Sequence, residues 1–326
     1  MSRLRTDGKK LFINAGTLFI FLAGLLIALY PAISSRWNSI RSARLISDYT
    51  QKMTSGENLE EYKQMIAEAQ KYNTTLFVPS VPDAFSIRDG IEDKEYESLL
   101  NFNGDGMMGY VEIPVIKVEL PIFHYTKEDV LLKGAGHLLG SALPVGGERS
   151  HCVISAHRGL PNAEMFSNLN LMKEGDRFYF HILNETFAYE VDQILEVMPT
   201  EVDSLSTVEG KDYATLVTCT PYGVNTHRLL VRGHRVPYSA ELHSEDQSSA
   251  QRKDPFRILF QILSVLAGLA ISAVFISIQT VMSKKRRTSV EDALLKDTPE
   301  NEDNRSGTVE QDQDIDSIQE HDEKQR

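Results

Sequence analysis

Two apolar runs in this chain end on residues able to do nucleophilic and proton-transfer chemistry. Val153-Ile154-Ser155-Ala156 stops at His157-Arg158-Gly159, and Thr215-Leu216-Val217-Thr218 stops at Cys219-Thr220-Pro221. A side chain at the end of a strand is held by the sheet while staying open to solvent and substrate, which suits a nucleophile and its acid. Cysteine attacks as the thiolate, with a free pKa of about 8.5, and a nearby imidazolium or guanidinium stabilises that anion. Neutral His157 could instead take the thiol proton, and both schemes stand at this stage. Arg228, inside the next run, offers the cation. Each residue also has a bland reading: a buried core thiol, a surface imidazole, a guanidinium paired with a surface carboxylate. Cys152 lies inside its run and reads as core.

Short runs of strand-forming residues separated by turn residues must position these groups, and they fill Gly109 to Val236 in the manner of a sandwich or barrel. Seven strands are expected: Tyr110 to Val115, Lys117 to Phe123, Cys152 to Ala156, Arg177 to Leu183, Thr186 to Val197, Tyr213 to Cys219 and Arg228 to Val236, with Asn184-Glu185 turning the fourth into the fifth. Ahead of them, Trp37 to Tyr72 reads as two helices divided at Ser55-Gly56, with Leu59, Tyr62, Ile66 and Ala69 at helical spacing. A segment bearing Pro79, Pro82 and Gly90 then reads as irregular.

Two windows carry no charged side chain, Leu11 to Ser35 with 25 residues and Ile258 to Ser283 with 26. About 20 apolar residues suffice to cross the hydrocarbon core, so two transmembrane helices and a lipid bilayer partner are expected. Arg3, Arg5, Lys9 and Lys10 precede the first window and Lys284 to Arg287 follow the second, which places both termini in the cytoplasm and the domain between them outside. Ala32-Ile33-Ser34 resembles a signal cleavage site, but the apolar stretch exceeds a typical signal core, and an uncleaved anchor is expected. Thr288 to Arg326 holds 13 acidic and four basic residues, supplying −9 of the net −12; a tail so charged is expected to be disordered. No basic patch lies outside the membrane flanks, so nucleic-acid binding is not expected. Two cysteines make neither a disulfide framework nor a zinc site by spacing.

The string Leu216-Val217-Thr218-Cys219-Thr220-Pro221-Tyr222 with Asn225-Thr226-His227-Arg228-Leu229-Leu230-Val231-Arg232-Gly233 resembles the active-site signature of class C, pilus-assembling sortases. So does Gly136-His137 through Gly140-Ser141 and Leu143-Pro144-Val145-Gly146-Gly147 to Val153-Ile154-Ser155-Ala156-His157-Arg158-Gly159, and the likeness spans Asn103 to Val236. It implies a mostly antiparallel eight-stranded β-barrel, with Cys219 as nucleophile, His157 as general acid and Arg228 holding substrate or stabilising the oxyanion. His227 gets no role, since on a strand it points to the opposite face. Class C members also carry a lid with an Asp-Pro-aromatic motif in the active-site cleft; here Asp83-Ala84-Phe85 departs from it at Ala84, which lacks proline's fixed φ.

The resemblance implies a membrane-anchored cysteine transpeptidase on the outer face of a Gram-positive cell. It would cleave an LPXTG-like sorting signal between Thr and Gly and join pilin subunits through a lysine isopeptide bond. Its partners would be pilins bearing such signals and acceptor lysines, and the chemistry requires no metal or organic cofactor. The expected organisation is a cytoplasmic segment 1–10, a span 11–35, an extracellular helical region 36–76, a lid 77–100, the catalytic barrel 101–237, a linker 238–257, a span 258–283 and a basic then acidic tail 284–326. Two rival readings are a housekeeping sortase that attaches proteins to cell-wall precursor, and a non-catalytic membrane receptor on a barrel scaffold.

Overall fold

The computed structural model describes residues 2–54, 58–76, 83–85, 92–249 and individual positions from 263 to 289. Contacts divide the chain into two units, Met1–Leu266 and Ala267–Arg326. In the second unit, the described positions between 268 and 289 are helical.

In the first unit, α1 (Ser2–Thr54) runs unbroken through the first apolar window into the first of the two expected helices, and α2 (Leu59–Thr75) follows. α2 buries Tyr62, Ile66 and Ala69, three of the four residues whose spacing predicts its packed face; Leu59 is exposed. Polar clasps tie both helices to the domain. The Tyr49 hydroxyl donates to the carbonyl of Met108 at 3.0 Å and accepts from the amide of Leu183 at 2.6 Å, joining α1 to two parts of the barrel. The Asn73 side chain accepts from the Leu143 amide at 2.7 Å and donates to its carbonyl at 3.1 Å. A short α3 (Lys94–Ser98) is capped by Asp93, whose carboxylate accepts from the Tyr96 amide.

The barrel has eight strands: β1 (Met107–Ile113), β2 (Val118–His124), β3 (Ala135–His137), β4 (Ser150–Ser155), β5 (Arg177–Ile182), β6 (Glu185–Val197), β7 (Asp212–Thr220) and β8 (His227–Val236). They close in the order β1-β2-β3-β4-β7-β8-β6-β5. A one-turn α4 (Glu128–Leu131) precedes β3. Pairing is antiparallel except at β2–β3 and β4–β7, which are parallel, so the sheet is mixed though mostly antiparallel.

Strand alternation sorts side chains into two apolar groups. Cys152, Ile154, Ala214, Leu216, Leu229 and Val231 join the main core, whereas Val153, Val217 and Leu230 join a smaller cluster on the opposite face of the same strands.

The eight strands implied by the resemblance are present, one of them outside the seven runs, and two further expectations need correction. β3 is an eighth strand that hydropathy does not announce, because Ala-Gly-His has little strand propensity and is held by its neighbours. The β5–β6 turn falls on Leu183-Asn184, one residue early, with Leu183 at φ +52°. Part of the expected linker is a helix, α5 (Ala240–Ser248), capped by the Ser239 hydroxyl. Among the described residues no helix is long and apolar enough to cross a membrane. The side chains of 11–18 and much of 258–283 lie outside the described residues, as do 77–82, 86–91, 250–257 and 290–326.

Gly136 lets β3 lie against the preceding loop: a Cβ there would collide with the backbone oxygen of Tyr125 and meet Thr126 Cα at 3.1 Å. Backbone cannot rotate away as a side chain does. Gly136→Ala is therefore expected to lower stability by ~1–3 kcal/mol, the usual range for overpacking, read from the urea midpoint of unfolding.

Candidate active site

The parallel register of β4 and β7 brings the two candidate chemical residues together. Ser155 pairs with Val217, and the Ala156 amide donates to the Val217 carbonyl at 3.2 Å, so the next residues of matching parity, His157 and Cys219, emerge side by side on the face of the smaller apolar cluster. On the other flank of β7, antiparallel β8 sets Arg228 directly opposite Cys219. Cross-strand partners project to the same face. The Arg228 Nη1 lies 3.5 Å from Cys219 Sγ. His227 is one residue out of phase, and its Nδ1 meets Thr226 Oγ1 at 2.9 Å.

Asp83 and Phe85 reach the same face. Arg228 donates through Nε to Asp83 Oδ1 at 2.8 Å and through Nη2 to Oδ2 at 2.9 Å, a two-pronged pair that leaves both side chains little exposed. The Phe85 ring lies 5.0 Å from the guanidinium carbon and 5.9 Å from the His157 ring, touching both groups. Ala84, at the position where the resembling motif has proline, is buried in the cluster with Leu138, Val153, Leu205, Val217 and Leu230. The remainder of 77–91 lies outside the described residues.

Burial pushes the Cys219 thiol above its ordinary pKa; Arg228 opposes this, Asp83 adds to it and Arg158 opposes it. The hydrogen bonds that Arg228 donates to Asp83 raise the pKa of Arg228. His157 Nε2 is 3.4 Å from Glu128 Oε1 and, among the described residues, has no hydrogen-bond partner. Cys152 is wholly buried and its thiol is held well above the ordinary range.

Two neighbours escape a reading limited to the trio. Arg158 is buried behind Cys219, donating to Thr220 Oγ1 at 2.9 Å and facing the Tyr222 ring at 6.0 Å. Glu128 approaches His157 from α4. Arg158 was visible beside His157 in the motif; Glu128 carries no sequence signal.

The sortase domain family matches residues 111–236. Sortase C of Streptococcus pneumoniae is 45% identical, with 60% of this chain and 98% of that one covered at a TM-score of 0.57. Sortase C1 of Streptococcus agalactiae is 46% identical, with 60% and 100% covered at a TM-score of 0.55. Sortase A of Bacillus anthracis is 26% identical over 198 residues, 59% of this chain and 86% of that protein. Such kinship sets aside the reading of a non-catalytic receptor. With a thiol, an imidazole and a guanidinium gathered on one face of a closed eight-stranded barrel, the chain belongs to the sortase family of cysteine transpeptidases, and its structural neighbours are that family's class C, pilus-associated members.

Proposed function

We propose that this sortase polymerises pilins, with Cys219 as nucleophile, His157 as general acid and Arg228 as oxyanion and substrate partner. The observation that carries the assignment is the 3.5 Å approach of Arg228 to Cys219 Sγ beside the strand end bearing His157. Cys219 attacks the carbonyl between Thr and Gly of an LPXTG-like signal. Negative charge then develops on the carbonyl oxygen, where a fixed guanidinium donor stabilises it. His157 protonates the departing glycine amine, leaving a thioacyl-enzyme. A lysine amine of another pilin attacks the thioester and gives its proton to His157, neutral after the first step; the thiolate leaves, and an isopeptide bond replaces the peptide bond. Identity supports the pilin substrate class over attachment to cell-wall precursor: it is 45% to a sortase C whose pilin substrate specificity has been described, against 26% to a sortase A.

Mass spectrometry of the cross-linked product from enzyme and candidate pilins tests this reading, because it identifies donor, acceptor and bond together. Cys219→Ala is expected to abolish the thioester and the product, while Cys152→Ala keeps most turnover. Polymer formed by Cys219→Ala would overturn the mechanism.

Asp83, Ala84 and Phe85 act on this reading as a lid. Asp83 occupies the donors a substrate oxygen needs, Phe85 covers the gap between the imidazole and the guanidinium, and Ala84 seats the segment in an apolar socket. Competence then scales with the open fraction. Removing Asp83 deletes a charge that raises the Cys219 pKa, and removing Phe85 rehydrates the thiol, so both changes shift the thiolate midpoint down. In Asp83→Ala/Phe85→Ala, iodoacetamide should modify Cys219 faster than in wild type at neutral pH, with the rate-versus-pH midpoint displaced to lower pH. Equal rates and midpoints would show that the segment does not guard the thiol.

Membrane anchorage through both apolar windows rests on their freedom from charge and on the outward exposure of Phe19, Leu26, Ile27 and Ile33 in α1 and of Ile271, Val274, Val281 and Met282 near the carboxy terminus. Side chains this apolar, exposed along helical stretches, suit lipid better than water. Protease added outside intact protoplasts should digest the barrel and spare an epitope on the acidic tail; loss of that epitope without lysis would remove the second span.

A further inference from the structure

Away from the Cys219 face, α5 packs against the barrel without burying one of its residues. Its contacts are polar. Asp246 accepts from the Tyr179 hydroxyl and pairs with Arg177 at 3.5 Å. Next to them, two imidazoles converge on one carboxylate oxygen: His181 Nε2 from β5 and His243 Nε2 from α5 each lie 2.9 Å from Glu112 Oε2 of β1. Gln247 Nε2 donates to the other oxygen, Oε1, at 2.9 Å. Glu112 is buried, and both of its oxygens are engaged by these three side chains.

We propose that Glu112, His181 and His243 form a binding site for a first-row divalent cation, Zn²⁺ foremost, that fastens α5 to the barrel. The three ligand atoms lie within 4.8 Å of one another. Zinc bonds to imidazole nitrogen and carboxylate oxygen are about 2.0–2.2 Å, which places tetrahedral ligand atoms about 3.3 Å apart. The two 2.9 Å nitrogen–oxygen edges need to open by a few tenths of an ångström, and the nitrogen–nitrogen edge, which is no longer than 4.8 Å, is set by small rotations of the two rings.

The surrounding shell is also that of a metal site. A ligating imidazole normally engages its second nitrogen, which fixes ring orientation. His181 Nδ1 meets Thr186 Oγ1 at 3.1 Å and His243 Nδ1 meets the Tyr238 hydroxyl at 3.2 Å. Hydroxyls both donate and accept, so they serve either ring tautomer. Without metal, each ring places its Nε2 proton toward Glu112 and accepts at Nδ1; with metal, the neutral ring carries its proton on Nδ1, donates to the hydroxyl and turns a lone pair inward. Tyr110 stacks on His181 at 4.4 Å, and Glu119, opposite Glu112 in the β1–β2 register, adds a second carboxylate that favours a dication. Two imidazole ligands select against Mg²⁺ and Ca²⁺, which prefer all-oxygen sites. With three protein ligands, a fourth position is left for water. The ion's role is structural, since its ligands include none of Cys219, His157 and Arg228.

The test uses tag-free full-length protein carrying Cys219→Ala, so that the half-buried thiol cannot bind metal, stripped with chelator and dialysed against micromolar Zn²⁺. One zinc per chain is expected by mass spectrometric metal analysis, with the thermal midpoint raised on reloading and neither effect reversed by millimolar Mg²⁺. His243→Gln keeps an N–H donor for Glu112 and lies on the surface helix, so folding is preserved; it should weaken zinc binding at least 100-fold. Tyr238→Phe should weaken it about 10- to 100-fold, as for other outer partners of ligating histidines. Absence of stoichiometric zinc in the folded parent, or undiminished zinc in His243→Gln, would overturn the site and leave Glu112 as a hydrogen-bond acceptor only.

Discussion

Parallel pairing of β4 with β7 is the constraint on which the candidate site depends. Parallel neighbours end at the same edge of a sheet, so His157 and Cys219 finish level with each other. Antiparallel pairing of the same six-residue stretch would separate those ends by about 20 Å at roughly 3.3 Å per residue. Register matters as much as direction. A slip of one residue turns every side chain of a strand to the other face. Cys219 would then point into the main core with Ala214 and Leu216 rather than toward Arg228 and Phe85. The alternation of apolar side chains between the barrel core and the smaller cluster therefore does more than stabilise: it decides which face carries the thiol.

Much of that arrangement was legible in the residues. The seven longer strands and the two ends that carry His157 and Cys219 follow from alternation and from the spacing of turn residues, whereas the part of Arg228 rests on the family resemblance and its place opposite Cys219 on the strand register. What escaped was structure held by tertiary contact. β3 has three residues, one of them Gly136 against the backbone of Tyr125, and no periodicity can register in so short a run. α5 is polar on every side, which reads as linker, because its attachment uses hydrogen bonds to Glu112 and Tyr179 instead of an apolar stripe. Glu128 reaches His157 only because α4 folds over the barrel edge, a proximity that no local pattern encodes.

Ala84 illustrates how packing can replace a local constraint. Proline would limit the backbone of the segment before folding and so lower the entropy lost when it docks. Alanine lacks that advantage, yet its methyl is buried among Leu138, Val153, Val217 and Leu230, and its two neighbours are anchored by the guanidinium and the imidazole.

On the proposed assignment of Asp83 and Phe85 as a lid, Arg228 connects that segment to the reactivity of the thiol through a simple count of charge and donors. Asp83 engages Nε and Nη2, and only Nη1 faces Cys219 Sγ. With the lid seated, the arginine's charge is balanced by the carboxylate. A thiolate formed in that state would be a second anion in a partly buried space served by one neutralised cation, with Arg158 farther back. Burial and Asp83 both favour the protonated thiol there, which agrees with the raised pKa of Cys219. Departure of Asp83 changes both sides of the balance at once: it frees two donors in fixed geometry and returns an uncompensated positive charge to the sulfur. On the proposed assignment, one guanidinium then serves in sequence as lid anchor, thiolate partner and oxyanion donor, and no two of these anions can hold its full fork together. Activation and substrate binding are thereby coupled, because the oxygen that takes the place of Asp83 belongs to the molecule about to react.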